Sequence, residues 1–278
     1  MGPTGTSPQR IHMPSTYAHY RLGRDVLERL PDDLGGIAER HRELYDIGLH
    51  GPDILFYYDA LHRNPVSQVG FSMHGFPARD FFGPAREALA GAEDREAGEA
   101  YLMGFVCHFA LDSTCHPYIE DVIQTEGIAH TKIEGEFDRM LLAEDGKDPV
   151  RQSLVTHIRP TDANARVISG FFPTVTADQV RKALEDMIHY NGLLICPGKL
   201  KRWLVVRALK KSGNYDDMIG LVLNSEGDPA CERSNARLKE LYGDSVTLSV
   251  ELIRDLHSYL SGDSEALCAR FDRTFGVE

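Results

Sequence analysis

Apolar residues recur every three to four positions through most of the chain, the pattern of helices packed by one face. Leu22, Val26, Leu27 and Leu30 set this spacing from Tyr17 to Leu30, and Pro31 ends it. Leu34 to Tyr45 repeats the pattern as a second helix. The next stretch, GLHGPD over 48–53, has two glycines and a proline and reads as a loop or a sharply bent entry to a helix. Ile54 to Leu61 is apolar and aromatic, so periodicity alone allows a strand or a buried helix; the helical surroundings favour helix. Asn64 to His74 reads as a loop. Further helices are predicted over Pro77–Ala90, with Gly83-Pro84 as a point of breakage, over Glu93 to about Ile119, and over His130–Leu142. Beyond Pro149 the pattern returns at Ala177–Tyr190, Leu200–Lys211 and Ala230–Leu260, separated by loops at Pro173, Pro197, Gly213 and Gly227. The expected fold class is all-α.

Composition narrows the function classes. The 278 residues carry 42 acidic and 30 basic side chains, a net charge of −12, which argues against a dedicated nucleic-acid surface. A phosphate-containing substrate stays admissible, because bound divalent metal would reverse the field inside a pocket. The five cysteines (Cys107, Cys115, Cys196, Cys231 and Cys268) form no C-x-x-C pair, and a chain this long needs no disulfide staples, so a reduced, cytoplasmic protein is expected. No run approaches the ~18 apolar residues of a membrane span. Residues 1–12 are polar and precede a second methionine, Met13, so they read as a disordered leader or expression remnant. Residues 13–278 are expected to form a single helical domain. Lys199, Lys201 and Arg202, with Arg207, Lys210 and Lys211, put one basic helix around Trp203; a solvated face is the plain reading, and a phosphate- or partner-facing patch the alternative.

The chemistry concentrates in GFVCHFALDSTCHPYI. His108, Asp112 and His116 are four residues apart, and each such step advances a helix by only ~40°, so all three share one face. Phe105, Val106, Phe109, Ala110 and Leu111 predict burial of this stretch, where ionisable side chains are costly unless satisfied together. A metal would do so, and mixed imidazole–carboxylate sets are typical of catalytic zinc; a hydrogen-bonded His–Asp–His core network is the other reading. His130 and Glu134 repeat the i, i+4 pairing fourteen residues after His116, so two helices with a short connection can aim both sets at one centre. Asp138 reads as a surface acid paired with Arg139 or Lys132, or else as a partner of the ligands. Upstream, His19, His50, Asp53 and His74 are further candidates, each singly better explained by a core or surface role.

In order, His19, Asp53, His74, His108, Asp112, His116, His130 and Glu134 resemble the bacterial zinc-dependent phospholipase C family, whose helical fold is shared with single-strand-specific zinc nucleases. The resemblance runs from Met13 to Leu142, a metal-site core within 13–150, with 151–278 as a helical extension. It implies one zinc held by Asp53, His74, His108 and Asp112, and another by His116, His130 and Glu134. Asp112 would bridge toward a third, held partly by His19. The implied chemistry is attack by metal-activated water on a phosphodiester, with Asp53 as general base as well as ligand. Two features depart from the secreted members: His116 follows Asp112 by only four residues, and there is no N-terminal Trp to offer its amino group. Pro14, freed by removal of Met13, could supply a substitute nitrogen.

The expected function is therefore a zinc-dependent phosphoric ester hydrolase, phospholipase C-like, acting on a small phosphoester or lipid headgroup. A zinc nuclease or phosphatase of the same fold is an alternative, and a metal-binding protein without turnover another. Phe56, Tyr57, Tyr58, Phe81 and Phe82 either line an apolar pocket or pack the core.

Overall fold

A computed structural model describes residues 16–213 and 215–276. The proposed leader 1–12, Met13 and Pro14 lie outside the described residues. Twelve α-helices and four short 3-10 helices make up the fold, with no strand among the described residues. The helices are α1 (Tyr17–Leu27), α2 (Asp32–Arg40), α3 (Arg42–Gly48), α4 (Pro65–Met73), α5 (Arg79–Ala90), α6 (Arg95–Glu126), α7 (His130–Glu144), α8 (Asp162–Ser169), α9 (Ala177–Leu194), α10 (Lys199–Ser212), α11 (Tyr215–Met218) and α12 (Glu232–Ser261). No helix is long and apolar enough to cross a membrane, among the described residues.

The 32-residue α6 is the axis of the molecule, continuously buried from Ala97 to Ser113. It starts on Asp94, whose side chain accepts the Ala97 amide, and ends at Gly127 in the left-handed conformation. Along one side runs α12, which buries Leu238, Leu252, Ile253 and Leu256. On another, α3 touches α6 backbone to backbone: a Cβ on Gly48 would lie 2.2 Å from the Tyr101 carbonyl oxygen, and one on Gly104 2.1 Å from that of Tyr45. This contact draws the following 3-10 helix, Gly51–Tyr57, against the centre of α6.

Several sequence expectations change. The predicted Leu34–Tyr45 helix is two helices, separated at His41, whose backbone (φ −115°, ψ 41°) leaves the helical region. Asn64–His74 is not a loop but the helix α4, because Asn64 accepts the Ser67 amide as N-cap and Pro65 occupies the first turn, where its missing N–H costs nothing. Pro84 does not break α5. Phe56, Tyr57 and Phe82 are core residues rather than pocket lining.

Candidate metal centre

Four elements close on α6 at His108, Asp112 and His116. The 3-10 helix brings Asp53, α1 brings His19, and α7 brings His130 and Glu134. His74 caps the end of α4; its Nδ1 faces the Gly70 carbonyl oxygen at 3.0 Å, which leaves Nε2 toward Asp53 at 3.1 Å. All eight candidate residues are thus brought together. The two oxygens of Asp112 divide the site. Oδ2 lies 3.1 Å from His108 Nε2 and 3.7 Å from His74 Nε2, whereas Oδ1 lies 3.4 Å from His19 Nε2 and 3.8 Å from His116 Nε2. Glu134 Oε1 sits 3.1 Å from His130 Nε2 and 3.5 Å from His116 Nε2.

Three of these separations, at 3.1 Å, are hydrogen-bond distances, whereas those of 3.4–3.8 Å are close to the spacing of ligands around one cation. Tetrahedral zinc with bonds of ~2.0–2.2 Å keeps neighbouring ligand atoms roughly 3.3–3.6 Å apart. Nδ1 of His108 and of His19 are buried without a hydrogen-bond partner, a costly arrangement in a purely structural core, and His108 Nε2 and Asp53 Oδ1 approach Asp112 and His74 without hydrogen-bond geometry. Three groupings have ligand atoms within 4.8 Å of one another: His19, Asp53 and His108; His74, His108 and Asp112; His116, His130 and Glu134. Between the last two groupings, a cavity of about 30 Å³, room for one ion or water, is lined by His19, Asp112, His116 and Glu134.

Charge follows the same division. Burial alone would raise the carboxyl of Asp112, but His108 and His116 hold it well below the usual range; His130 and His116 do the same for Glu134. Burial likewise opposes the protonation of His116, but Asp112 and Glu134 outweigh it and lift the imidazole to about 10. Burial dominates at His19, which falls to about 4. The arrangement is a pair of anionic carboxylates surrounded by imidazoles whose protons a divalent cation would displace.

The sequence matches the zinc-dependent phospholipase C family over residues 18–184. The chain belongs to that family. This match runs beyond the Met13–Leu142 span on which the resemblance was drawn. No curated protein and no solved structure matches the chain.

Three features of the site go beyond what the sequence suggests. Asp138 is not a surface acid paired with Arg139 or Lys132: it is buried and accepts the backbone amides of Thr16, Tyr17 and Ala18 at 3.0, 2.9 and 2.7 Å. Its charge satisfies the first-turn donors of α1 and so places His19. Arg139 pairs instead with Glu136, and Lys132 with Asp228. Secondly, the Phe275 carbonyl oxygen accepts from His116 Nδ1 at 2.8 Å, which turns Nε2 toward Asp112 and Glu134. The Phe275 ring packs near His74 and His108, with centroids 5.5 and 5.9 Å away. This C-terminal segment lies outside the matched region, and no local pattern announces it. Thirdly, His50 and His157 face each other Nε2 to Nε2 at 2.7 Å in the core, with Tyr20 stacked on His157. Burial pushes both imidazoles down, that of His157 to about 3.

Proposed function

We propose that the protein hydrolyses phosphodiesters of the phospholipid-headgroup class, with His19, Asp53, His74, His108, Asp112, His116, His130 and Glu134 holding its zinc ions. Two ions are assigned to the groupings around His108 and Glu134, and a third to the cavity beside His19. The observation that carries the reading is the convergence of buried imidazoles and carboxylates, with Nδ1 of His108 and of His19 making no hydrogen bond, in a chain of a zinc-dependent family.

Bound zinc supplies Lewis acidity and a water acidic enough to attack near neutral pH. The chain's own residues do the rest. Asp53, whose Oδ1 lies 3.1 Å from His74 Nε2, is assigned the role of general base as well as that of a ligand. Asp112, through its two oxygens, keeps the His108 and His116 sides of the site in fixed relation. His130 is the most exposed of the site imidazoles, with 26% of its side chain accessible, so substrate approach is assigned to that edge. The five cysteines, none of them paired, support a reducing compartment, and the cytoplasm is the proposed location.

The test is elemental analysis of the purified protein beside His108→Ala and Glu134→Ala, followed by release of phosphorylated headgroup from phosphatidylcholine and from soluble phosphodiesters. Zinc bound by the parent and diminished in both variants, with headgroup release lost in parallel, is expected. A parent that takes up no zinc even after reconstitution refutes the proposal.

A further inference from the structure

Of the seven large apolar side chains exposed on the described surface, five fall in one stretch: Ile188, Leu193, Leu200, Trp203 and Leu204. Three of these stand on α10, where Leu200, Trp203 and Leu204 are 72%, 54% and 52% exposed and only Leu209 is buried. The same helix carries Lys199, Lys201, Arg202, Arg207, Lys210 and Lys211, with no acidic residue from 199 to 213, in a chain of net charge −12. At ~100° per residue, Leu200, Trp203, Leu204, Arg207 and Lys211 share the outward face, and Lys199, Lys201 and Lys210 flank it. The Arg207 guanidinium lies 5.5 Å over the Trp203 ring, so cation and aromatic are presented together.

The helix is fixed in place by other contacts. Lys201 Nζ donates to the Gly192 carbonyl oxygen at 3.0 Å, joining it to the end of α9, and Arg202 donates to the Leu223 carbonyl oxygen at 3.1 Å. Just before Leu223, Gly220 packs directly on the backbone of Thr131 and Lys132, beside His130. The exposed face is therefore anchored to the edge of the site where His130 is accessible.

We infer that α10, with Ile188 and Leu193 of α9, docks the protein on an anionic lipid bilayer. Aliphatic and indole side chains ringed by cations match an interface that is apolar below an anionic headgroup layer. A second copy meeting the same face would bring five cations against five. Nucleic acid would use the cations but leave Leu193, Leu200 and Leu204 in water. The inference goes beyond the hydrolytic reading and does not depend on it, because docking is measured without turnover.

Trp203 is the only tryptophan of the chain, so its fluorescence reports this face alone. On vesicles of phosphatidylcholine doped with phosphatidylglycerol, the emission shifts to the blue and becomes protected from acrylamide; phosphatidylcholine alone gives far less, and high salt weakens the effect. Leu200→Gln with Leu204→Gln lowers partitioning more than about tenfold. Lys199→Gln with Lys211→Gln lowers it about 25-fold, since each cation at an anionic surface contributes about fivefold. Both double variants keep the parent's melting temperature and zinc content. No shift on anionic vesicles overturns the inference, as does an equal shift with a single-stranded oligonucleotide or a shift that tracks protein concentration without lipid. Docking intact while headgroup release fails would count against the hydrolytic reading only.

Discussion

Replacing Gly51 with Ala tests whether the bend before the Gly51–Tyr57 3-10 helix exists to make room for a ligand. Gly51 has φ +48°, and a Cβ there would lie 2.3 Å from His108 Cδ2 and 2.8 Å from His108 Nε2. Left-handed backbone costs a non-glycine residue roughly 1–2 kcal/mol. The added methyl must also regain ordinary contact of ~3.5–4.0 Å, so the ring or the chain moves by about 1 Å. Overpacking of that kind costs typically 1–3 kcal/mol, giving a total of about 2–5 kcal/mol. The His108 ring cannot yield cheaply, because it is stacked on His19 at 4.5 Å and tilted against Phe275. Metal–ligand distances tolerate only about 0.2 Å, so a 1 Å displacement empties the His108 grouping. Gly127→Ala is the control: it bears the same backbone strain (φ +68°) with nothing within 4 Å of the new carbon. Denaturant midpoints and zinc content are measured for both variants. Gly51→Ala is expected to lose zinc at the His108 grouping and keep it at His116, His130 and Glu134, while Gly127→Ala loses stability alone. Parental zinc content in Gly51→Ala would refute the account of this turn.

Other consequences follow from the contacts around the site. Asp138→Asn swaps one acceptor oxygen for a donor against the first amides of α1, costing about 1–3 kcal/mol in denaturant unfolding and disturbing His19; an unchanged midpoint would contradict this. Ending the chain after Thr274 removes the carbonyl that holds His116 Nδ1 and should weaken zinc binding at the His130–Glu134 side about 10- to 100-fold by competition with a chelator, whereas Phe275→Leu, which keeps the carbonyl, should weaken it less. His157 gives a pH signature: its folded pKa of about 3 lies below its ordinary 6.5, so its contribution is fully present above pH 6.5 and is lost as pH falls toward 3. At 1.36 kcal/mol per unit, zinc-free protein should lose about 2–3 kcal/mol more between pH 6.5 and 4.5 than His157→Gln does; equal losses would show that the pair takes up its proton without cost.

The candidate ligands on α6 and α7 are legible in the sequence because helix geometry is local: once the apolar pattern fixes a helix, spacing by four fixes a shared face, and the grouping of His108, Asp112 and His116, and of His130 and Glu134, needs no tertiary information. Asn64-Pro65 misleads for the same reason. The dipeptide favours a turn and a helix start equally, and burial of Val66 and Gly70 against the 3-10 helix decides between them. What orients these side chains is less accessible. Asp138 reaches an amide 122 positions away and Phe275 an imidazole 159 away, and neither stands in a pattern that marks its partner. The helix α10 shows the limit from the other side. Its charges are evident in the sequence, but Leu200, Trp203 and Leu204 could equally have faced a core, and only the fold leaves them outward. The sequence therefore names the cations of that face, while the exposure of its apolar residues in the fold is what makes the helix a candidate docking surface.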